Sequence, residues 1–445
     1  MGARRRRVLI IVQNLPVPLD RRVWLECQAL RDVGVGVSVI CPKGPGDPFM
    51  QEIDGVRIYK YPPPPAASGV LGYLYEFTYC WLVTALLSIL VAVRDGFGAV
   101  QACNPPDTYW ALALLYRPFG KRFVYDQHDL NPEVFLSRFG APKSTGARVQ
   151  FGLLRWLESM TYRTAHEVIS TNESYRSIAL TRGKRDPRTV TVVRSGPDTS
   201  VMRPVEPVPA LRAGKERLAV YLGIMGPQDG VDQALRAFVE LVHRRGRKDC
   251  HFALLGFGDC LDELKELAAE LDVDEYVTFT GRVGASEIAD YLSTADIGIC
   301  PDPKSPLNDV STMNKTMEYM AYCLPVISFD LVETRVSAAE SAIYLPSGDL
   351  AAFAAAWELL LDDPAERARR GALARTRVAA ELDWAPQRDQ YVRVWQRVLG
   401  LPQVGYPVDE QALAAQNART EDARGRRYIP LDDPARLADF IQHRA

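Results

Sequence analysis

Short runs of apolar residues alternate with longer amphipathic segments along the first half of the chain. The short runs have the length of buried strands, and the segments between them repeat apolar residues at the helical period, as in Arg22–Asp32 and Val149–Thr164. This alternation predicts a mostly parallel sheet covered by helices on both faces. The strands predicted here are Val8–Val12, Val35–Ile40, Val56–Tyr59, Val100–Ala102, Phe123–Tyr125, Val168–Ile169 and Val190–Val193.

A proline-rich stretch, Met202–Ala210, interrupts the pattern, which then starts again. So many prolines without a period are typical of a hinge. The strands predicted beyond it are Leu218–Leu222, Phe252–Leu255, Val277–Thr280, Ile297–Ile299 and Pro325–Ile327. The helices predicted there are Val231–His243, Leu261–Leu271, Ala285–Ser293, Thr316–Tyr322, Ala351–Leu361 and Pro386–Leu399. The chain is therefore predicted to be an α/β protein with two Rossmann-like domains.

We place the domain boundaries where the pattern changes. The prediction is an N-terminal domain over residues 1–200, a linker over 201–216, a C-terminal domain over 217–385, a helix over 386–400 and an extension over 401–445. The extension is charged and weakly patterned, and no function is assigned to it.

The segment Val70–Val93 contains a single charged residue, Glu76, and is long enough to cross a membrane. Polar residues within it favour a buried helix, or a helix that leans on a membrane, over a span. Both of these interpretations stay open. The aromatic residues that motivate the membrane interpretation are Tyr73, Tyr75, Phe77, Tyr79 and Trp81.

The net charge of the 445-residue chain is -2, so no global field favours nucleic acid, and we expect no nucleic-acid partner. Eight cysteines without a CxxC pair and five histidines without ligand spacing are typical of a cytoplasmic protein with reduced thiols and no metal site. The run Val8–Val12 behind Arg4–Arg7 is too short for the core of a signal peptide.

Ligands of open parallel sheets bind beyond the carboxyl ends of the strands. Four stretches follow predicted strands in this way, and they are Gln13–Trp24, Tyr125–Leu130, Leu255–Asp259 and Asp309–Tyr322. In the last stretch Lys315 and Glu318 share a helix face beside Asn314. A lysine can contact a phosphate, and a carboxylate can accept hydrogen bonds from vicinal sugar hydroxyls. A surface ion pair is the competing interpretation.

His128 lies between Asp126 and Asp129 at the end of a predicted strand, which favours a site residue over a core histidine. Gly256 and Gly258 permit either a tight turn or close approach of the backbone to a ligand.

Several motifs resemble the family-4 retaining glycosyltransferases of the GT-B fold. The most specific of them is the block Asn314–Ile327, and the resemblance extends over about residues 7 to 400. The other similar pieces are Tyr221–Gly223, Gly230–Asp232, Leu255–Gly258, Phe279–Val283, Ala295–Ile297, Tyr125–Asp129 and Arg194–Asp198.

The resemblance implies transfer of a sugar from a nucleotide diphosphate, held in a cleft between the domains, to an acceptor hydroxyl with retention of configuration. It implies that no metal or other cofactor is needed. Glu318 would bind the ribose hydroxyls, Arg282 and Val283 would border the base, and Gly256 and Gly258 would line the donor side. His128 would face the transferred sugar. The helix over 386–400 would return to the N-terminal domain.

The chain departs from the family pattern at the diphosphate. Where the family has an arginine and, five residues later, a lysine, this chain has Ile224 and Asp229. The first glutamate of the paired-glutamate motif is replaced by Val310, with Asp309 beside it. We therefore expect Lys315 to be the main diphosphate ligand. Arg21 or Arg22, from the loop after the first strand, is expected to assist it.

The leading hypothesis is a glycosyltransferase that acts on a cell-surface glycan, a glycolipid or a secondary metabolite. Its expected partners are a nucleotide-sugar donor, a glycan or lipid-linked acceptor and the inner face of a membrane. Two alternatives stay open: a degenerate paralogue that acts as a scaffold, and a nucleotide-sugar epimerase of similar architecture.

Overall fold

The computed structural model describes residues 6–64, 69–403, 405–406, 419–422, 424–431, 434–442 and 444. The chain forms two compact units. The first consists of Met1–Ser195 and Ala385–Val408, and the second of Gly196–Trp384 and Asp409–Ala445. Arg4 and parts of the extension predicted over 401–445 lie outside the described residues.

An eight-stranded sheet forms the centre of the first unit. Its strands are β1 (Arg7–Ile11), β2 (Gly36–Pro42), β3 (Met50–Ile53), β4 (Val56–Tyr61), β5 (Ala99–Cys103), β6 (Arg122–Gln127), β7 (Glu167–Ser170) and β8 (Val190–Val192). Their order is β3-β4-β2-β1-β5-β6-β7-β8, and only the β3–β4 pair is antiparallel among the described strands. The strand order therefore reverses between β1 and β5, where a ligand crevice is expected.

Helices cover both faces of this sheet. They are α1 (Arg21–Asp32), α2 (Gly69–Arg94), α3 (Trp110–Tyr116), α4 (Asn131–Phe139), α5 (Thr145–Thr164) and α6 (Glu173–Thr181). One core contains Leu9 and Ile11 of β1, Leu87 of α2, Leu112 of α3 and Tyr162 of α5. Helices α2, α3 and α5 thus share one layer.

A six-stranded, fully parallel sheet forms the centre of the second unit. Its strands are β9 (Arg217–Leu222), β10 (Cys250–Leu255), β11 (Val277–Gly281), β12 (Ile297–Cys300), β13 (Val326–Phe329) and β14 (Ala342–Leu345). Their order is β11-β10-β9-β12-β13-β14, so the switch point lies between β9 and β12.

The helices of the second unit alternate with its strands. They are α7 (Val231–Val239), α8 (Leu261–Glu270), α9 (Ala285–Thr294), α10 (Asn314–Ala321), α11 (Val332–Ala338), α12 (Leu350–Asp362) and α13 (Pro364–Arg377). Side chains of β9 alternate between two cores. Tyr221 packs with α7, α8 and α12, whereas Val220 packs with α9, α10 and α13.

The last long helix, α14 (Trp384–Leu399), belongs to the first unit from Ala385 onward. The Tyr391 hydroxyl donates to Gln101 Oε1 of β5 at 2.7 Å, and Arg397 pairs with Glu167 of β7 at 3.0 Å. These contacts attach the helix to the first sheet on the face opposite α2, because Gln101 alternates with Val100 and Ala102 of the α2 core.

The C-terminal segment packs on the second unit. Its helix α15 (Pro434–Gln442) lies against α13, where Ile441 and Phe440 form a small core with Cys323. The buried Arg444 guanidinium donates to the carbonyl oxygens of Tyr322 and Cys323, which follow α10. This segment therefore supports the end of the helix that carries Lys315 and Glu318.

The prediction of an α/β fold with two Rossmann-like domains is confirmed. Strands β3 and β14 and helices α11, α13 and α15 are among the elements that were not predicted. Strand β3 pairs with β4 through the two-residue turn Asp54-Gly55, and its exposed, polar positions give no apolar run. Helix α13 is rich in arginine, yet it buries small residues such as Gly371 and Ala374.

Candidate functional site

Two glycine-containing loops pack backbone against backbone at the carboxyl ends of β9 and β10. A Cβ atom on Gly256 would lie 1.8 Å from Gly223 O, and one on Gly258 would lie 2.5 Å from Met225 O. The requirement for glycine at these two positions therefore comes from the neighbouring loop. Their contact with a donor stays a prediction.

The loop after β9 is held by hydrogen bonds to the end of β10 and the loop after it, and by one within itself. The N–H groups of Gly223 and Met225 donate to Leu255 O and Phe257 O, and the Gly226 N–H donates to Asp229 Oδ2. These three N–H groups are already used within the second unit.

Lys315 lies in the first turn of α10, beside the β9–β12 switch point. Its ammonium is 2.6 Å from Asp302 Oδ1, just beyond β12, and 3.9 Å from Asp229 Oδ1. It also lies 4.9 Å from the centre of the Tyr221 ring. Burial by itself lowers the pKa of Lys315, but Asp302, followed by Tyr221 and Asp229, raises it well above its usual range. The lysine is therefore a fixed cation within a local excess of carboxylate.

Glu318 is 8% exposed and lies one turn after Lys315 on α10. Asn314, at the start of the helix, is exposed. Asp309 accepts from Lys304 Nζ at 2.7 Å and from the Val332 N–H at 3.0 Å, so it caps α11. Lys315 and Glu318 thus lie one turn apart on the same helix, whereas the carboxylate of Asp309 is engaged by other groups.

Arg282 and Val283 follow β11, on the β10 side of the same sheet. The Arg282 guanidinium lies 5.1 Å from the centre of the Phe257 ring, in the loop that contains Gly256 and Gly258. This places residue 282 next to the glycine-containing loop. A base-binding role stays a prediction.

His128 follows β6 in the first unit and is oriented by Asp126. Its Nε2 lies 2.7 Å from Asp126 Oδ2, and its backbone N–H donates to Asn104 Oδ1 at 2.7 Å. Burial lowers the pKa of His128, but the Asp126 carboxylate outweighs this effect and raises it. In its protonated form the ring donates from Nε2 to Asp126.

Arg22 lies inside the first unit, at the start of α1. Its NH2 donates to Asp126 Oδ1 at 2.9 Å, and its NH1 donates to Val193 O and Ser195 Oγ, both at 2.9 Å. Its Nε lies 3.1 Å from Glu26 Oε1. These partners commit the guanidinium to an internal network, so Arg22 positions Asp126 and His128 and is not available as a mobile diphosphate ligand. Arg21 is exposed.

The network continues through Gln101, whose Nε2 donates to Glu26 Oε2 at 2.7 Å and to Asp126 Oδ2 at 2.9 Å. Burial, followed by repulsion from Asp126, raises the pKa of Glu26 to about 8. Asp126, held between Arg22 and His128, has a pKa well below its usual range despite its burial. Of the two carboxyl groups, Asp126 is therefore the one whose surroundings favour the charged form.

Cys103, Asp126 and His128 bring a thiol, a carboxylate and an imidazole within 4.8 Å of one another. The three residues do not fit a metal ion. The Arg22 guanidinium already occupies the carboxylate, and burial raises the pKa of the Cys103 thiol well above its usual range.

Asp302, Gln101 and Tyr391 were missed from the sequence. Asp302 follows a predicted strand, which was a usable indication. The pairing of Gln101 with Tyr391 joins residues 290 positions apart, so no local pattern could reveal it.

Comparisons with known proteins agree with this architecture. A family model described as "Glycosyl transferase 4-like domain" matches residues 19–196, and one described as "Glycosyl transferases group 1" matches residues 216–363.

Curated relatives are distant. Alpha-D-kanosaminyltransferase of Streptomyces kanamyceticus is 27% identical over 183 residues, which are 41% of this chain and 46% of the relative. D-inositol 3-phosphate glycosyltransferase of Kineococcus radiotolerans is 23% identical over 267 residues, which are 54% of this chain and 59% of the relative. The chain thus spans less than two thirds of the length of these relatives.

Solved structures share the fold. Sucrose-phosphate synthase from Thermosynechococcus elongatus has a TM-score of 0.71 at 19% identity, over 89% of this chain and 100% of that chain. HepE of Anabaena in complex with UDP-glucose has a TM-score of 0.62 at 14% identity, over 92% of this chain and 99% of that chain. Because the two family models match consecutive regions that together make up more than half of the sequence, the chain belongs to the family-4-like, group 1 glycosyltransferases of the GT-B fold.

Proposed function

We propose that this protein transfers a sugar from a nucleotide diphosphate sugar to an acceptor hydroxyl, with retention of anomeric configuration and without a metal ion. The observation that carries the proposal is the pair Lys315 and Glu318, which share the first turns of α10 beside the switch point of a parallel sheet. Ligands of such sheets bind at this place. The site therefore has the position and the groups that a sugar nucleotide needs.

Glu318 binds the ribose in this proposal. An ionised carboxylate only accepts hydrogen bonds, so it suits two vicinal hydroxyls. The base lies beside Arg282 and Val283, and the loop with Gly256 and Gly258 borders the donor. The UDP-glucose complex of HepE, which shares the fold, supports a donor of the nucleoside diphosphate class.

Lys315 and the positive end of α10 stabilise the leaving diphosphate, together with the exposed Arg21. Arg22 is withdrawn from this role because its donors are already used. Asp302 holds the ammonium of Lys315 in place. Its carboxylate also offsets part of the positive charge that the diphosphate would meet. No step requires a divalent ion.

His128 contacts the transferred sugar in this proposal. The Asp126 carboxylate raises the pKa of the ring and so favours the imidazolium, which can donate a hydrogen bond to a sugar hydroxyl. The acceptor is a cell-surface glycan, a glycolipid or a secondary metabolite. We place the enzyme in the cytoplasm, where a lipid-linked acceptor would be reached at the inner face of the membrane.

The test is release of free nucleotide from a panel of UDP, GDP, ADP and TDP sugars, with and without EDTA. We expect one base to be preferred and EDTA to have no effect. Glu318→Gln conserves the volume of the side chain and removes its charge, and we expect it to lower kcat/KM at least about tenfold, since a hydrogen bond to a charged group contributes about 1.5–3 kcal/mol. Leu359→Gln, at an exposed site on α12, is the control.

A scaffold without activity is the second candidate, and it is favoured by the two carboxylates around Lys315. It predicts no nucleotide release from any donor, whether or not a nucleotide binds and stabilises the protein. Stabilisation by a nucleotide without turnover would support this candidate against the proposed enzyme. Consumption of a donor without an acceptor would indicate an epimerase instead.

A further inference from the structure

Helix α2 has apolar residues on two sides. Cys80, Leu87 and Val91 are buried against the first sheet. On the outer side, Leu86 is 67% exposed and Val93 is 71% exposed. The exposed aliphatic residues of this side repeat at helical spacing, and they are Leu82, Leu86, Ile89, Leu90 and Val93. A surface helix of a soluble protein normally carries polar residues there.

Over Tyr75–Arg94 this helix is long and apolar enough to cross a membrane. The topology excludes a span. Strands β4 and β5, which precede and follow α2, belong to one sheet, so both ends of the helix return to the same body. The outer side of α2 can therefore only lie along a surface.

The apolar outer side continues over α3 and α5. Ser88 of α2 lies 2.8 Å from the Tyr116 hydroxyl at the end of α3, and the rings of Trp110 in α3 and Trp156 in α5 meet edge to face at 5.7 Å. The exposed apolar residues of this layer beyond α2 are Leu114, Leu115, Phe119, Val149, Leu153 and Trp156. We call the exposed side of α2, α3 and α5 the outer layer. Contiguous apolar surfaces of this kind mark interaction sites.

The charges of the outer layer have one sign, although the whole chain has a net charge of -2. Among the described residues of the three helices and the turn after α3, the exposed charged residues are Arg94, Arg117, Arg148, Arg155 and Arg163. Of the two acidic residues there, Glu76 is half-buried, and Glu158 is buried and paired with Arg182 at 2.5 Å. Arginines beside large apolar side chains are complementary to an anionic lipid surface.

We propose that the outer layer is a membrane-docking surface that inserts its apolar side chains among the headgroups of anionic lipids. This inference rests on the proposed function in one respect only: the role of docking would be to bring the enzyme to a lipid-linked acceptor. The binding itself depends on α2, α3 and α5 alone. A second copy of the chain is the competing occupant, but arginines facing arginines would repel each other.

The experiment is co-sedimentation of the full-length protein with vesicles of phosphatidylglycerol and phosphatidylcholine, or of phosphatidylcholine alone. We expect binding to the anionic vesicles, weaker binding at high salt and little binding to the neutral ones. Absence of binding to anionic vesicles overturns the proposal. A stable dimer in vesicle-free buffer, measured by light scattering and lost in the variants of the outer layer, also overturns the proposal and assigns the surface to a second copy.

Two double variants separate the contributions. Leu86→Glu with Ile89→Glu removes the apolar contact, and Arg117→Glu with Arg155→Glu reverses the charge. Each should weaken vesicle binding at least about tenfold, because one basic residue near an anionic surface is worth about fivefold in affinity. Leu359→Glu on α12 and Arg188→Glu, at exposed positions elsewhere, are the matched controls and should bind as the wild type does. Equal binding of all variants contradicts the proposal.

Nucleotide release separates this inference from the proposed function. We expect both double variants to release nucleotide from a donor at the wild-type rate with a soluble acceptor, and thermal unfolding confirms that they fold. Vesicle binding by a protein that releases no nucleotide would refute the transferase and leave the docking surface intact. Turnover without vesicle binding would support the transferase and refute the docking surface.

Discussion

At the scale of single residues, Asp126 controls the charge of His128. Asp126→Asn removes the carboxylate at 2.7 Å, and burial then lowers the pKa of the histidine below its ordinary value of about 6.5. In the native protein the raised pKa means that the pairing stabilises the fold below pH about 6.5, and that this contribution is lost as the pH rises through the raised pKa. We expect the His128-dependent limb of the pH–rate profile to move to lower pH in the variant.

The measurement is kcat as a function of pH, with the imidazole signals of His128 titrated by NMR. Asp126→Glu retains the charge and serves as the conservative control. Since Arg22 loses a buried partner, Asp126→Asn should also destabilise the first unit by about 3–5 kcal/mol. An unchanged histidine titration in a folded variant would contradict the assignment of Asp126 as a positioning residue.

At the scale of elements, Arg444 fixes the end of α10. Its guanidinium donates to the carbonyl oxygens of Leu292 in the last turn of α9 and Ala295 just beyond it, and to those of Tyr322 and Cys323 after α10. Arg444→Gln leaves several of these buried acceptors without a donor. We expect the second unit to lose about 3 kcal/mol of unfolding free energy. We also expect KM for the donor to rise more than kcat falls, because Lys315 and Glu318 lie on α10.

Calorimetry and donor titration measure the two effects. Arg444→Lys retains the charge but not the fork geometry, so it should recover only part of the loss. A variant that loses stability at unchanged donor KM would show that Arg444 supports the fold without positioning the site.

The same scale shows what the sequence could reveal. Central strands such as β1 and β9 were predicted because they are buried on both faces and form continuous apolar runs. Strand β3 was missed because an exposed edge strand has no such run. Helix α13 was missed because its buried side consists of small residues and the buried Arg367, and so has no apolar repeat. Lys315 and Glu318 were proposed as site residues from their helical spacing, whereas Asp302 and Gln101 make contacts between distant segments that no local pattern shows.

At the scale of the whole molecule, α14 is structurally part of the first unit although it follows the second unit in sequence. Tyr391→Phe removes the hydroxyl that donates to Gln101 Oε1 in a buried site. We expect this change to destabilise the first unit by about 1–3 kcal/mol, since a buried acceptor is left unsatisfied. Hydrogen exchange should show faster opening of β1 and β5 and unchanged protection of β9 and β12. Equal loss of protection in both sheets would contradict this expectation.

The return of the chain to its first unit also constrains how the protein is made. Residues Ala385–Val408 leave the ribosome only after the whole region Gly196–Trp384 has been synthesised. Until then the part of the sheet around Gln101, which later receives the buried Tyr391, lacks the cover that α14 gives it. The nascent first unit therefore exposes this part of its sheet while the second unit is translated. A chaperone would be needed most during this interval. For the same reason an expression fragment that stops at Ser195 should aggregate, even though it contains every strand of its sheet.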